Sequence, residues 1–251
     1  ASSPAVAKQQ GGLGIGRRKT SVLRIGFALE PLRPHRPGHL RSDLGLSPGD
    51  RRVGGVGRLG PVKAHDDFLQ AASLLAERRE DIHFVIVGDG TRWDELHQLR
   101  DTLGLTDRVH FTGWRLDLPE VYSDLDVVIC CSHMEGTPST IIEAGAASRP
   151  VVGTRVGGLP DIITDGVSGL LVDSNDPPAL ATAVERIIDD LDLAERMRRV
   201  GNRLALDRHA AVHSVAQTEL LYLNLQKAPP PLTTVSTRCR WPAGPGAAVR
   251  P

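Results

Sequence analysis

Asp126-Val127-Val128-Ile129-Cys130-Cys131-Ser132-His133-Met134-Glu135-Gly136-Thr137-Pro138-Ser139-Thr140-Ile141-Ile142-Glu143-Ala144 carries a whole supersecondary unit in one line of sequence. It opens with an apolar run whose length and β-branched content are those of a buried parallel strand. A short polar turn follows. Thr137 ahead of Pro138 then reads as the N-cap and first position of a new helix. A helix that begins at the end of a strand points unpaired backbone N–H groups, and the positive end of its dipole, at whatever sits there. Glu135 stands just before the cap and Glu143 about one and a half turns inside. Ser139 and Glu143 are four apart and Thr140 and Glu143 three apart, so hydroxyls and carboxylate share a helical face. Donors for phosphate beside acceptors for hydroxyl groups suit a sugar nucleotide.

Alone, either carboxylate reads as a solvated surface group. Paired at the carboxyl end of a buried strand, the two point to function. Their spacing within Glu135-Gly136-Thr137-Pro138-Ser139-Thr140-Ile141-Ile142-Glu143-Ala144 resembles the paired-glutamate motif of the retaining family-4 glycosyltransferases. The resemblance implies a GT-B fold, in which two Rossmann-like domains face each other across a cleft.

Composition narrows the alternatives. The chain has 251 residues, room for one large domain or two small ones, and its 40% apolar content supports a proper core. Thirty basic residues balance thirty acidic ones, which argues against nucleic acid as a partner. Cys130, Cys131 and Cys239 have neither disulfide-framework nor metal-ligand spacing. They read as thiols of a reducing, cytoplasmic environment. No apolar run approaches the roughly 18 residues of a membrane span, and residues 1–20 lack the apolar core of a signal peptide. A start at Ala1 rather than Met reads as a piece of a longer protein.

Along the chain, Ser21–Phe27 reads as one strand, Pro31–Pro37 as a proline-rich linker, and His39–Gly45 as a helical turn closed by glycine. From Arg52 the pattern becomes regular. Strand-like runs fall at Val53–Leu59, His83–Val87, Arg108–Thr112, Leu125–Cys131, Pro150–Thr154 and Gly169–Val172. Helix-period segments at Asp66–Arg79, Arg92–Leu103, Leu118–Tyr122 and Pro138–Ala147 separate the first five, with Thr91 and Asp94 approximating a capping box. This alternation implies an α/β, Rossmann-like parallel sheet covered by helices on both faces. Pro178–Ile188, Leu193–Leu206 and Ala211–Gln226 add further helices. Residues 228–251, rich in proline and arginine and including Trp241, read as a disordered tail.

Ligands of such sheets bind beyond the carboxyl ends of the strands. Those loops begin near Arg58, Gly88, Gly113, Ser132 and Thr154. Arg58 and Lys63, just past the first strand, offer a planar fork and a compact charge to a diphosphate. Gly88-Asp89-Gly90 is a turn before it is a ligand contact, and it lacks the spacing of a dinucleotide fingerprint. Trp114 and Arg115 follow the third strand; Trp114 either packs under the loop or contacts a base. The glycines of Gly157-Gly158 permit a tight turn. His133 is a bystander.

Given the resemblance, residues 1–50 correspond to a remnant of the amino-terminal GT-B domain with the interdomain linker. Residues 51–210 correspond to the donor-binding domain, and residues 211–227 to the helix that crosses back. Gly57-Arg58-Leu59-Gly60-Pro61-Val62-Lys63 resembles the family's phosphate-binding segment, with Ala64 where the family usually has glycine; alanine costs little there unless the backbone needs positive φ. Glu143 would bind the ribose hydroxyls and Glu135 the sugar hydroxyls. Backbone N–H groups of Gly136, Thr137, Ser139 and Thr140, around Pro138, would hold phosphate and sugar oxygens. Trp114 and Arg115 would lie at the base, and Gly88 would also contact the donor. Arg58 and Lys63 would carry the diphosphate charge without a metal or other cofactor. The implied reaction is sugar transfer with retention from a nucleoside diphosphate sugar, UDP-sugar ahead of GDP-mannose. The acceptor would be a sugar, a lipid-linked sugar or a small molecule, and the missing domain leaves room for peripheral membrane contact. A non-catalytic nucleotide-sugar binding module is the rival.

Overall fold

The computed structural model describes residues 1–12, 20–33 and 39–227. The expected tail at 228–251, with Cys239 and Trp241, and most of the proline-rich linker lie outside the described residues. Six strands form one sheet: β1 Arg51–Val56, β2 Ile82–Val87, β3 Val109–Gly113, β4 Val127–Cys130, β5 Val151–Thr154 and β6 Leu170–Val172. All five pairings are parallel, in the order β3-β2-β1-β4-β5-β6. The helices are α1 Pro4–Gly12, α2 Leu40–Asp43, α3 His65–Ala76, α4 Trp93–Thr102, α5 Leu118–Asp124, α6 Ser139–Ala146, α7 Leu159–Ile162, α8 Pro177–Asp189, α9 Leu191–His209 and α10 Ala211–Lys227. None among the described residues is long and apolar enough to cross a membrane.

The strands read as continuous apolar runs because both faces of the sheet are covered. Alternation along β2 divides the core. Ile82, Phe84 and Ile86 join a cluster with Phe68 and Leu75 of α3 and Val184 and Ile187 of α8. Val85 and Val87 join the opposite cluster, with Tyr122 of α5, Ile141 and Ile142 of α6, and Leu40 of α2. β1 lies between β2 and β4, so the chain winds in opposite directions on its two sides. That reversal opens a crevice at the carboxyl ends of β1 and β4.

Three local expectations differ from the structure. Ser21–Phe27 forms no strand: only Phe27 bridges, donating to the His209 carbonyl at 2.8 Å and accepting from Ala211 N at 3.0 Å. Its backbone is held by the α9–α10 junction, so no ladder extends along it. The cap of α4 falls on Arg92, not Thr91, and uses no side-chain bond. Arg92 instead clamps Glu95 and Asp66. The cap of α6 falls on Pro138, one residue later than expected, again without a side-chain bond. Thr137 Oγ1 is buried without a partner. α2 ends as expected, with Gly45 at φ +65°.

Ala64 joins the 3-10 turn Pro61–Lys63 to α3 at φ 49° and ψ 45°, a left-handed conformation. An alanine there carries the clash between Cβ and the following carbonyl, about 1–2 kcal/mol, and glycine returns part of that gain as unfolded-chain entropy. Ala64→Gly is therefore expected to raise stability by about 1 kcal/mol in chemical denaturation. A variant no more stable than the parent would contradict the strained turn.

Candidate functional site

The loops after β1, β2, β3 and β4 converge on the crevice. A cavity of about 570 Å³, its open mouth included, is lined by Val56, Gly57, Arg58, Val87, Gly88, Trp114, Arg115, Leu118, Ser139, Thr140 and Glu143. Eight expected residues fall here or on the adjoining helix start. Arg58 is exposed at the rim. Trp114 is 75% exposed, which removes the reading in which it packs beneath its loop. Gly88 (φ +140°) presses so close to β1 that a Cβ there would lie 2.0 Å from the Gly57 carbonyl oxygen. Arg115 contributes a wall rather than a free cation, because Asp117 and Asp43 hold its guanidinium.

Glu143 faces this cavity from the second turn of α6. Tyr122 donates its hydroxyl to Glu143 Oε2 at 2.8 Å. Burial raises the Glu143 carboxyl above its ordinary range, and the Tyr122 hydrogen bond offsets part of that. The Thr140 hydroxyl donates to the Val56 carbonyl at 3.0 Å, which pins α6 to the end of β1. The helix start itself is open. Pro138 supplies the cap residue but no N–H, and the first backbone bond of the helix runs from Ile142 to Pro138 at 3.5 Å. The N–H groups of Ser139, Thr140 and Ile141 thus lack acceptors within the helix.

Glu135 and Lys63 form a second group beside the first. Lys63 Nζ lies 2.6 Å from Glu135 Oε1, and Ser132 Oγ donates to the same oxygen at 2.7 Å. The side-chain hydrogen bonds of Glu135 fall on Oε1, so Oε2 is the oxygen left for a ligand. Lys63 is therefore engaged with a carboxylate, not held as a lone cation. Its Cε lies 3.8 Å from where a Cβ on the cavity-lining Gly57 would stand, which makes the two groups neighbours. Behind them the Gly157-Gly158 loop packs backbone on backbone: a Cβ on either glycine would come within 1.8 Å of the Glu135 or Gly136 carbonyl oxygen. Gly158 N donates to Glu135 O at 3.0 Å. The glycines thus fix the height of the Glu135 loop. His133 points elsewhere, to Ser174 Oγ at 3.0 Å.

Sequence reasoning missed Ser132, Tyr122 and His65. Ser132 could have been found from its place three residues before Glu135. Tyr122 carried no signal, because only the fold brings α5 to α6. His65, the first residue of α3, is buried beside Lys63 with Nδ1 unpartnered. No cluster of three or more His, Cys, Asp or Glu among the described residues is arranged to hold a metal.

Burial, then the charges of Lys63 and Arg92, lower the His65 imidazole from 6.5 to about 4. The fold favours the neutral ring, while the unfolded chain takes up a proton below 6.5. This contribution to stability is therefore complete above pH 6.5 and lost as pH falls towards 4, roughly 3 kcal/mol in all. The stability difference between the parent and His65→Leu should change by that order between pH 7.5 and pH 4. Taking the difference cancels Glu143 and Asp67, whose raised pKa values act in the opposite sense. A pH-independent difference would contradict the buried neutral ring.

Comparison with known proteins comes to the same region of the chain. Residues 39–203 match the family described as "Glycosyl transferases group 1". The D-inositol 3-phosphate glycosyltransferase of Mycolicibacterium gilvum (strain PYR-GCK) is 39% identical over 207 residues, covering 80% of this chain and 44% of that protein. The alpha-D-kanosaminyltransferase of Streptomyces kanamyceticus is 37% identical over 144 residues, covering 57% and 37% respectively. This chain thus spans less than half the length of these curated relatives. Among solved structures, Anabaena Alr3699/HepE in complex with UDP superposes with a TM-score of 0.83 at 27% identity, over 89% of this chain and 63% of that one. The C-terminal domain of a group 1 glycosyl transferase family protein (LpcC) from Francisella tularensis gives 0.66 at 27%, over 74% of this chain and 99% of that domain.

Proposed function

The chain belongs to the group 1 glycosyl transferases, and from that premise we propose that it forms the donor-binding half of an enzyme that transfers a sugar from a nucleoside diphosphate sugar to an acceptor. The observation that carries this reading is the meeting of Arg58, Trp114, Glu143 and the uncapped start of α6 around one crevice. UDP is the favoured nucleotide. Support comes from Anabaena Alr3699/HepE, solved in complex with UDP and with UDP-glucose.

In this reading the ribose hydroxyls donate to Glu143, whose second carboxylate oxygen is already steadied by Tyr122. The diphosphate sits over the N–H groups of Ser139, Thr140 and Ile141, with Arg58 alongside. Negative charge grows on the diphosphate as the glycosidic bond breaks. Fixed dipoles and a nearby guanidinium stabilise that growing charge more than the ground state, so they lower the barrier. Lys63 adds charge from its position on Glu135. Glu135 Oε2 accepts from a sugar hydroxyl and orients the ring. The acceptor is a sugar, lipid-linked sugar or small molecule, and transfer proceeds with retention. Residues 51–210 act as the donor domain and 211–227 as its crossover helix.

A second reading is a nucleotide-sugar binding module without turnover.

Calorimetric titration with UDP, with donor hydrolysis and transfer assays beside it, separates the two. Glu143→Ala is expected to weaken UDP binding by about 1–3 kcal/mol, the cost of losing a charged hydrogen-bond partner; unchanged affinity would remove Glu143 from the site. Glu135→Gln is expected to lower turnover by roughly 10²-fold with UDP affinity little changed. UDP binding with no hydrolysis or transfer by the parent chain would favour the module.

A further inference from the structure

Tyr122, on α5, is 0% exposed. Val85 and Val87 of β2, Val128 of β4, and Ile141 and Ile142 of α6 belong to the same apolar cluster. A phenylalanine would fill that place with no polar group to satisfy, whereas a buried tyrosine hydroxyl needs a partner. Here the hydroxyl donates to Glu143 Oε2 at 2.8 Å. Burial holds the phenol well above its ordinary range, so it stays a donor. Leu118, one helical turn before Tyr122 on α5, forms part of the cavity wall together with Glu143. Tyr122 lies behind that wall and reaches the crevice through a carboxylate.

A glutamate side chain has several rotatable bonds, and an unanchored carboxylate samples many orientations. Two bonds restrict Glu143. Thr140, three residues earlier on α6, donates its hydroxyl to the Val56 carbonyl at 3.0 Å and fixes the helix against β1. Tyr122 then fixes the carboxylate itself. With Oε2 on Tyr122, Oε1 is the oxygen presented to a ligand. One oxygen held in place accepts from two neighbouring hydroxyls in a defined geometry, which is the pattern of a vicinal diol. Arg58 lines the same cavity. A carboxylate released from Tyr122 would be drawn towards that cation instead.

We propose that Tyr122 is a positioning residue of the donor site, and that by holding Glu143 it makes the crevice select a ribose over a 2′-deoxyribose. The inference rests on the donor reading above. The test is a calorimetric titration of the full chain with UDP and, separately, with 2′-deoxyUDP. The parent should bind UDP about tenfold more tightly than 2′-deoxyUDP. Tyr122→Phe keeps the ring that fills the core; it should weaken UDP binding about tenfold and leave 2′-deoxyUDP within about twofold, so that the preference collapses. In a Glu143→Ala background, Tyr122→Phe should cause no further loss of UDP affinity. Equal weakening of both nucleotides by Tyr122→Phe would reduce the tyrosine to a core residue and overturn the proposal. Unchanged UDP affinity in that variant would do the same, as would equal binding of the two nucleotides by the parent, a comparison that needs no variant. In each of these cases, UDP binding by the parent that Glu143→Ala weakens leaves the donor reading standing. Absence of UDP binding by the parent would remove that reading and the proposal with it.

Discussion

The contact between Lys63 Nζ and Glu135 Oε1, 2.6 Å, ties the loop after β1 to the loop after β4 across the point where the sheet reverses its winding. With 30% and 9% of the two side chains exposed, the pair is largely withdrawn from water. Such a pair holds only if each charge stays satisfied, and removing one partner strands the other. Ser132 shares the load on Oε1, and the Gly157-Gly158 loop presses on the Glu135 backbone from behind. The position of the Glu135 loop sets where the chain enters α6. The entry point in turn sets where the uncapped helix start is aimed.

The sequence announces the sheet because burial on both faces forces long apolar runs, and those runs carry their own period. β2 and β4 could be recognised within a residue or two at the carboxyl end for that reason. Boundaries that rest on a single local bond were less legible. Thr137 and Thr91 have the chemistry of caps, yet each cap falls on the next residue and uses no side-chain bond. Ser21–Phe27 has the composition of a strand, but a strand requires a neighbour, and the sheet ends elsewhere.

The site shows the same division. Glu135 and Glu143 were legible because a strand end and a helix start lie next to each other in sequence. Arg58 and Lys63 were legible as cations, but the diversion of Lys63 onto Glu135 and of Arg115 onto Asp117 and Asp43 belongs to the fold. Ala64 offers the sharpest contrast. Nothing in its own chemistry announces a left-handed backbone, and the resemblance to a glycine-bearing segment was the sole hint that the turn needs one.

The central claim is that one crevice grips a nucleoside diphosphate through a helix start, a guanidinium and a half-buried carboxylate. The most direct measurement is a crystal structure of this chain grown with UDP. The account predicts the diphosphate oxygens within hydrogen-bond distance of the backbone N–H groups of Ser139 to Ile141 and of Arg58, with the ribose hydroxyls on Glu143. Ordered UDP seated away from the start of α6, or ribose out of reach of Glu143, would contradict it.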